Sequence, residues 1–202
     1  MPFVLTAALA AASLAAQTPS PAPSPAPAAS PTPAASAAPA APPAPETPRP
    51  AAELQKLSFL VGDWIHAENY PAGPSGPGGK GGGRSKTAWV LGDQHLYVLY
   101  ASKTPMGTVE GRGFMGWDPD ARAYRLDWYD NAGRVVRYAG DFAPDGALVL
   151  KGNVNRQGRT VEETFTIKRQ DDGKVLFTIA VAGEGGAPMV VLESQASPEA
   201  RK

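Results

Sequence analysis

The 202-residue chain contains no cysteine. That excludes disulfides, thiolate metal sites, a cysteine nucleophile and a lipid-modified cysteine. Net charge is absent too, because 19 Lys and Arg balance 19 Asp and Glu. Without a basic surplus to hold a phosphate backbone, nucleic acid is not an expected partner. Other absences are local. No charged side chain precedes Glu46, no glycine precedes Gly62, and no tryptophan or tyrosine precedes Trp64. Prolines are crowded instead into the start, with 14 of the 22 in residues 1–50. The composition thus separates a leading stretch that cannot build a core from one folded unit of about 150 residues, long enough to bury one.

The leading stretch divides in two. Phe3 to Ala16 is largely apolar and ends in small residues. It falls short of the ~20 residues a bilayer span needs and matches the apolar core of a secretory signal peptide. Ser13-Leu14-Ala15 supplies a small-x-small cleavage pattern, although Met1-Pro2 carries no Lys or Arg ahead of the run. A signal peptide over 1–15 and a periplasmic or secreted location are expected. Residues 16–50 are almost entirely Pro, Ala, Ser and Thr. Proline fixes φ and removes amide donors, so the expectation is a disordered linker, in part polyproline II. Composition leaves open whether it spaces the domain from a surface or has no role.

From residue 51 the pattern changes. Residues 51–61 read as a short helix, with Leu54, Leu57, Leu60 and Val61 at helical spacing. Runs rich in Trp, Tyr, Val, Phe and Thr then recur at 63–70, 84–91, 94–102, 109–117, 123–130, 134–142, 147–155, 159–169, 174–182 and 188–195. Between them stand turn chemistries such as Gly92-Asp93, Asn131-Ala132-Gly133 and Asp171-Asp172-Gly173, where Gly, Asn and Asp tolerate φ > 0. Connections this short make each strand antiparallel to the one before it, and no intervening helix allows a parallel sheet. The expected fold for 51–202 is therefore all-β, an antiparallel up-and-down barrel of about ten strands behind a short helix, closed to avoid exposed edges. Eight strands are just filled by their own side chains, so ten should leave a cavity.

Strand parity selects the candidate site. His66 and Glu68 share a face with Trp64, whose ring belongs inside. A His-x-Glu pair in an apolar cavity can serve as acid and base, give two of the three or four ligands zinc wants, or anchor a bound molecule; the two residues can also be purely structural. The parity of His95, the other histidine, is open. Val161, Glu163, Phe165 and Ile167 form a second inward row, Val175, Phe177, Ile179 and Val181 a third, and Val136, Tyr138 and Phe142 a fourth. Of the four tryptophans, Trp64 is expected to plug the helix end, and Trp89 and Trp128 to line a cavity, while Asp127 and Asp130 read as ordinary strand-end acids. The ligand-binding set expected is His66, Glu68, Trp89, Trp128, Tyr138 and Glu163, holding a small hydrophobic or amphipathic molecule. No catalytic residue, metal or cofactor is assigned. An enzyme using His66 and Glu68, and an envelope module binding protein or glycan on the barrel exterior, are the alternatives. Gly76–Gly81 and Gly111–Gly116 both match G-x-G-x-x-G. The first reads as a loop and the second as strand, and neither opens the helix that dinucleotide binding requires.

Leu57-Ser58-Phe59-Leu60-Val61-Gly62-Asp63-Trp64 resembles the opening Gly-x-Trp signature of lipocalin-like barrels. Gly113-Phe114-Met115-Gly116-Trp117-Asp118-Pro119, followed by Tyr124-Arg125-Leu126-Asp127-Trp128-Tyr129-Asp130, resembles the domain-of-unknown-function family 1579, with its Gly-(Tyr/Trp)-Asp turn and Trp-x-Asp. The resemblance runs from about Leu54 to Gln195 and implies an exported lipocalin-like antiparallel barrel with no assigned activity. More distantly the chain is similar to the haem-binding nitrobindin barrels, which open on Gly-x-Trp-x-Gly-x-Gly. Here His66 and Glu68 stand at the two later glycines, and no histidine follows His95 to match those barrels' C-terminal axial ligand.

Overall fold

The computed structural model of the protein describes residues 51–73, 76–156, 158–183 and 186–200. The expected signal peptide and Pro/Ala linker lie outside the described residues. Ten strands follow one another: β1 (Gly62–Tyr70), β2 (Gly79–Val90), β3 (His95–Thr104), β4 (Gly107–Asp118) and β5 (Ala123–Asp130), then β6 (Val135–Phe142), β7 (Leu148–Arg156), β8 (Arg159–Arg169), β9 (Val175–Ala182) and β10 (Pro188–Pro198). Each pairs antiparallel with the next, and β1 pairs with β10, so the sheet closes into an up-and-down barrel without a free edge. Among the described residues no helix is long and apolar enough to cross a membrane.

One boundary differs in a way that matters. β2 begins at Gly79, not at 84, and its glycines pair as strand residues, Gly81 with Glu68 and Gly83 with both His66 and Ser102. Glycine ordinarily weakens a strand, but here close approach requires it. A Cβ at Gly83 would stand 2.4 Å from the carbonyl oxygen of Ala101, and one at Gly81 2.8 Å from the Tyr70 ring.

One end of the barrel is plugged. Residues Ala52–Leu60 form a 3-10 helix, whose three-residue turn stacks positions i and i+3. Leu54, Leu57 and Leu60 stand at that spacing and all three are buried, whereas Val61 lies beyond the helix and is exposed. The period is thus three and not 3.6, which is why Val61 does not share the apolar row. The Tyr124 hydroxyl donates to the Glu53 carbonyl at 2.9 Å, and Trp64 Nε1 donates to the Leu60 carbonyl at 3.0 Å, fixing the helix to the barrel. Leu96, Met115, Tyr124, Leu148 and Val175 pack with the helix leucines into one buried core.

Register in β1 follows the tryptophan. Trp64 is 7% exposed, and His66 and Glu68 are buried with it, while Ile65 on the opposite face is 45% exposed. A slip of one residue would reverse every one of these positions.

Candidate functional site

Above the plug the barrel encloses a cavity of about 510 Å³ that opens at the opposite end. That volume lies within the range of small-molecule sites. Trp64, Met115, Leu126 and Ile167 lie toward the plug, Trp128, Phe165, Phe177 and Ile179 form the walls, and Met106, Val109, Arg134 and Arg156 stand at the mouth. Strand alternation accounts for the apolar lining, since Phe165 and Ile167 on β8, and Phe177 and Ile179 on β9, are successive inward positions. Gly111 and Gly113, inward on β4, leave room for the indole of Trp128, because a Cβ at Gly111 would fall 2.0 Å from its Cζ2. The second Gly-x-Gly-x-x-Gly match therefore makes a seat for an aromatic ring.

His66 lies on the wall between two serines. Its Nδ1 is 3.0 Å from Ser194 Oγ and its Nε2 2.8 Å from Ser85 Oγ. A neutral imidazole offers one donor and one acceptor, and a hydroxyl can answer either. Burial pushes the His66 pKa below its ordinary value, a shift the nearby Glu68 only partly offsets. Its ring also meets Tyr100 edge-on at 5.5 Å and Phe177 at 5.5 Å.

Glu68 shares the face but not the cavity. Tyr100 donates to its Oε1 at 2.5 Å, and Tyr70 and Ser102 donate to its Oε2 at 2.8 and 2.6 Å. Tyr70 and Tyr100 line the void, whereas Glu68 and Ser102 do not. Burial, and then the hydrogen bonds to Glu68, raise the pKa of both tyrosines, so they remain protonated donors. His66 and Glu68 make no hydrogen bond to one another.

Two further carboxyl groups face the mouth. Glu163, 1% exposed, accepts from the Tyr138 hydroxyl and from Arg156 Nη2 at 2.8 Å. Burial and the charge of Glu163 raise the Tyr138 pKa. Asp130 points inward with Trp128, and its side chain is 1% exposed. It accepts from the backbone N–H groups of Ala132 and Arg134 at 3.0 and 3.1 Å, and from Arg134 Nε at 2.7 Å. Asp130 is therefore a buried anchor and not the ordinary strand-end acid expected. Asp127 faces outward, 3.8 Å from Arg137.

Of the six residues singled out by sequence, His66, Trp128, Tyr138 and Glu163 line the cavity. Glu68 is held by hydroxyls outside the cavity lining, and Trp89, one inward position past Thr87 toward the plugged end, packs against the core cluster instead. Arg134, Arg156, Ser85 and Ser194 were not singled out. Among the described residues no group of three or more His, Asp and Glu is placed to hold a metal ion. Nor do the histidines fit the axial ligand of a haem: both nitrogens of His66 are engaged by serines, and His95 lies against Gly116 on the face opposite the buried Leu96.

Residues 49–197 match the family described as "Protein of unknown function (DUF1579)". No curated protein matches the chain. Among solved structures, the crystal structure of Rv2717c from M. tuberculosis is similar, with a TM-score of 0.56 at 13% identity, covering 75% of this chain and 99% of that one. At that identity the likeness concerns the fold alone.

Proposed function

The chain belongs to the DUF1579 family, described only as of unknown function, and from that premise we propose that it is an exported binding barrel for a small apolar or amphipathic molecule. The observation that carries this reading is the cavity of about 510 Å³, plugged at one end, open at the other and walled by Trp128, Phe165 and Phe177. An apolar surface of that kind gains by excluding water, at about 25 cal/mol per Å² removed, before the costs of association are subtracted. Export rests on the run from Phe3 to Ala16 and the Pro/Ala-rich stretch after it.

The binding reading is tested by titrating the purified protein with an anilinonaphthalene dye that fluoresces in apolar surroundings. Enhanced emission, reversed by dodecanol and lost in Ile179→Trp, is the expected result. A barrel that takes up neither molecule, and whose melting temperature neither changes, contradicts the proposal. Export is tested separately by N-terminal sequencing of protein recovered outside the cytoplasm, which should begin close to Ala16.

The acid–base alternative has less support, because Glu68 is held by three hydroxyls away from the void. One feature favours an exterior interaction surface: Phe114, Tyr129 and Val135 point outward from β4, β5 and β6, and are 40–56% exposed. Loss of a defined protein or glycan contact on Phe114→Ser/Tyr129→Ser, with dye uptake intact, would support it.

A further inference from the structure

The mouth of the cavity is not symmetrical in its chemistry, and the asymmetry bears on which amphipathic molecules fit. Arg134 lines it, with a side chain 43% exposed, on the turn between β5 and β6. That turn is firmly held. Asp130 N–H donates to the Arg134 carbonyl at 3.1 Å, Gly133 N–H donates to the Asp130 carbonyl at 3.0 Å, and Gly133 takes the positive φ of 77° that closes the bend. The side chain of Asn131 ties the same turn to β4, donating to the Thr108 carbonyl at 3.1 Å and accepting from Glu110 N–H at 3.1 Å.

Asp130 then fixes the guanidinium itself. Its buried carboxylate already accepts two backbone N–H groups and takes Arg134 Nε as a third partner at 2.7 Å. Among the described residues this Nε contact is the only side-chain hydrogen bond Arg134 makes, so its two terminal amino groups stand at the mouth for a guest. Burial works against the charge on Arg134, but the hydrogen bond and charge of Asp130, together with the nearby Glu163 and Tyr138, outweigh it and raise its pKa. Beside it, Arg156 stands at the same mouth on Glu163, which holds Tyr138 as well. Each of the two carboxylates at the mouth, Asp130 and Glu163, is thus matched by one arginine. The apolar walls begin directly inside, and exposed Met106 with Val109 supplies a greasy lip.

Taking as given that the cavity binds amphipathic molecules, we infer that its guests are amphipathic carboxylates, tail inward along Phe165 and Phe177, with the carboxylate on the terminal amino groups of Arg134. Guanidinium is the side chain best shaped for this, because its planar fork can meet both oxygens. The polar midway wall of His66, Ser85 and Ser194 is compatible with a further hydroxyl or carbonyl along the guest.

Three probes with one tail and different heads separate the possibilities: dodecanoate, dodecanol and dodecyltrimethylammonium, each titrated by displacement of the naphthalene dye at pH 8 and low salt. Dodecanoate should bind about tenfold more tightly than dodecanol, as one charge-assisted hydrogen-bonded contact warrants. The ammonium should be weakest. Added salt should narrow the gap. Arg134→Gln alone would strand the buried Asp130 carboxylate, so the decisive variant is Asp130→Asn/Arg134→Gln, in which the Asn oxygen still accepts the turn's backbone N–H groups. In that variant dodecanoate should lose about tenfold and fall to the affinity of dodecanol, whose own affinity should change far less. Equal binding of acid and alcohol, or preference for the ammonium, overturns the inference while leaving the binding barrel intact. If none of the three displaces the dye, the underlying reading fails with it.

Discussion

Replacing Trp64 by alanine removes the piece that joins the plug to the barrel. Its ring is 7% exposed, belongs to the core cluster with Leu54, Leu57 and Leu60, and donates from Nε1 to the Leu60 carbonyl at 3.0 Å. A buried tryptophan covers roughly 200 Å², which at about 25 cal/mol per Å² sets an upper transfer contribution of about 5 kcal/mol. Two effects then oppose each other. The Leu60 carbonyl loses its donor, costing about 1 kcal/mol more. Against that, the ring already borders the cavity, so the space it leaves opens into an existing void and part of its surface was never packed. The net expectation is about 3–5 kcal/mol, the usual range for such truncations. Trp64→Phe keeps most of the ring and loses the hydrogen bond, and should cost about 1–2 kcal/mol. Urea unfolding followed by far-ultraviolet circular dichroism measures both, free of the change in tryptophan fluorescence. A loss below about 1 kcal/mol for Trp64→Ala would refute the reasoning, because the ring could then not be the contact that seats the helix.

Two further outcomes are specific. Because the His66 pKa is lowered by burial from 6.5, the unfolded chain takes up the proton first. The neutral ring's contribution is then whole above about pH 6.5 and is lost progressively as pH falls toward the folded value. Melting temperature should decline between about pH 7 and 5.5 more steeply than in His66→Gln, and identical slopes would show that the imidazole does not titrate in a buried site. In Gly111→Ala the new Cβ would lie 2.0 Å from Trp128 Cζ2, so the indole must leave its seat. Stability should drop by about 1–3 kcal/mol with a shift in tryptophan emission, and an unshifted spectrum at full stability would mean that Trp128 does not lie against β4.

Legibility in the sequence tracked how strictly each segment alternated. In β1 a single tryptophan, Trp64, sets the inward parity, and in β8 Val161, Phe165 and Ile167 do, so the inward polar residues His66, Glu68 and Glu163 could be read directly. β2 could not be read from its first residue, because strand propensity treats Gly79–Gly83 as a breaker. What makes those glycines strand is tertiary: Glu68, Tyr70 and Ser102 occupy the space a side chain would need. Trp89 failed for a related reason, since parity places a residue inside the barrel without saying how far along the axis it lies. Asp130, Arg134 and Arg156 were missed although a signal existed. Asp130 shares the parity of Trp128, and Arg156 that of Leu150 and Val154, so both acid and base were inward by the same rule that found Glu163. Charge at a strand end is usually solvated, and that prior outweighed parity.

Native mass spectrometry bears most directly on whether this barrel is a container. Sprayed gently from a volatile buffer with an excess of dodecanoate, the protein should carry one ligand mass per chain, and Ile179→Trp, which narrows the cavity wall, should carry none. Bare protein at every ligand concentration, or a ladder of several ligands equally present on both proteins, would contradict a single internal site.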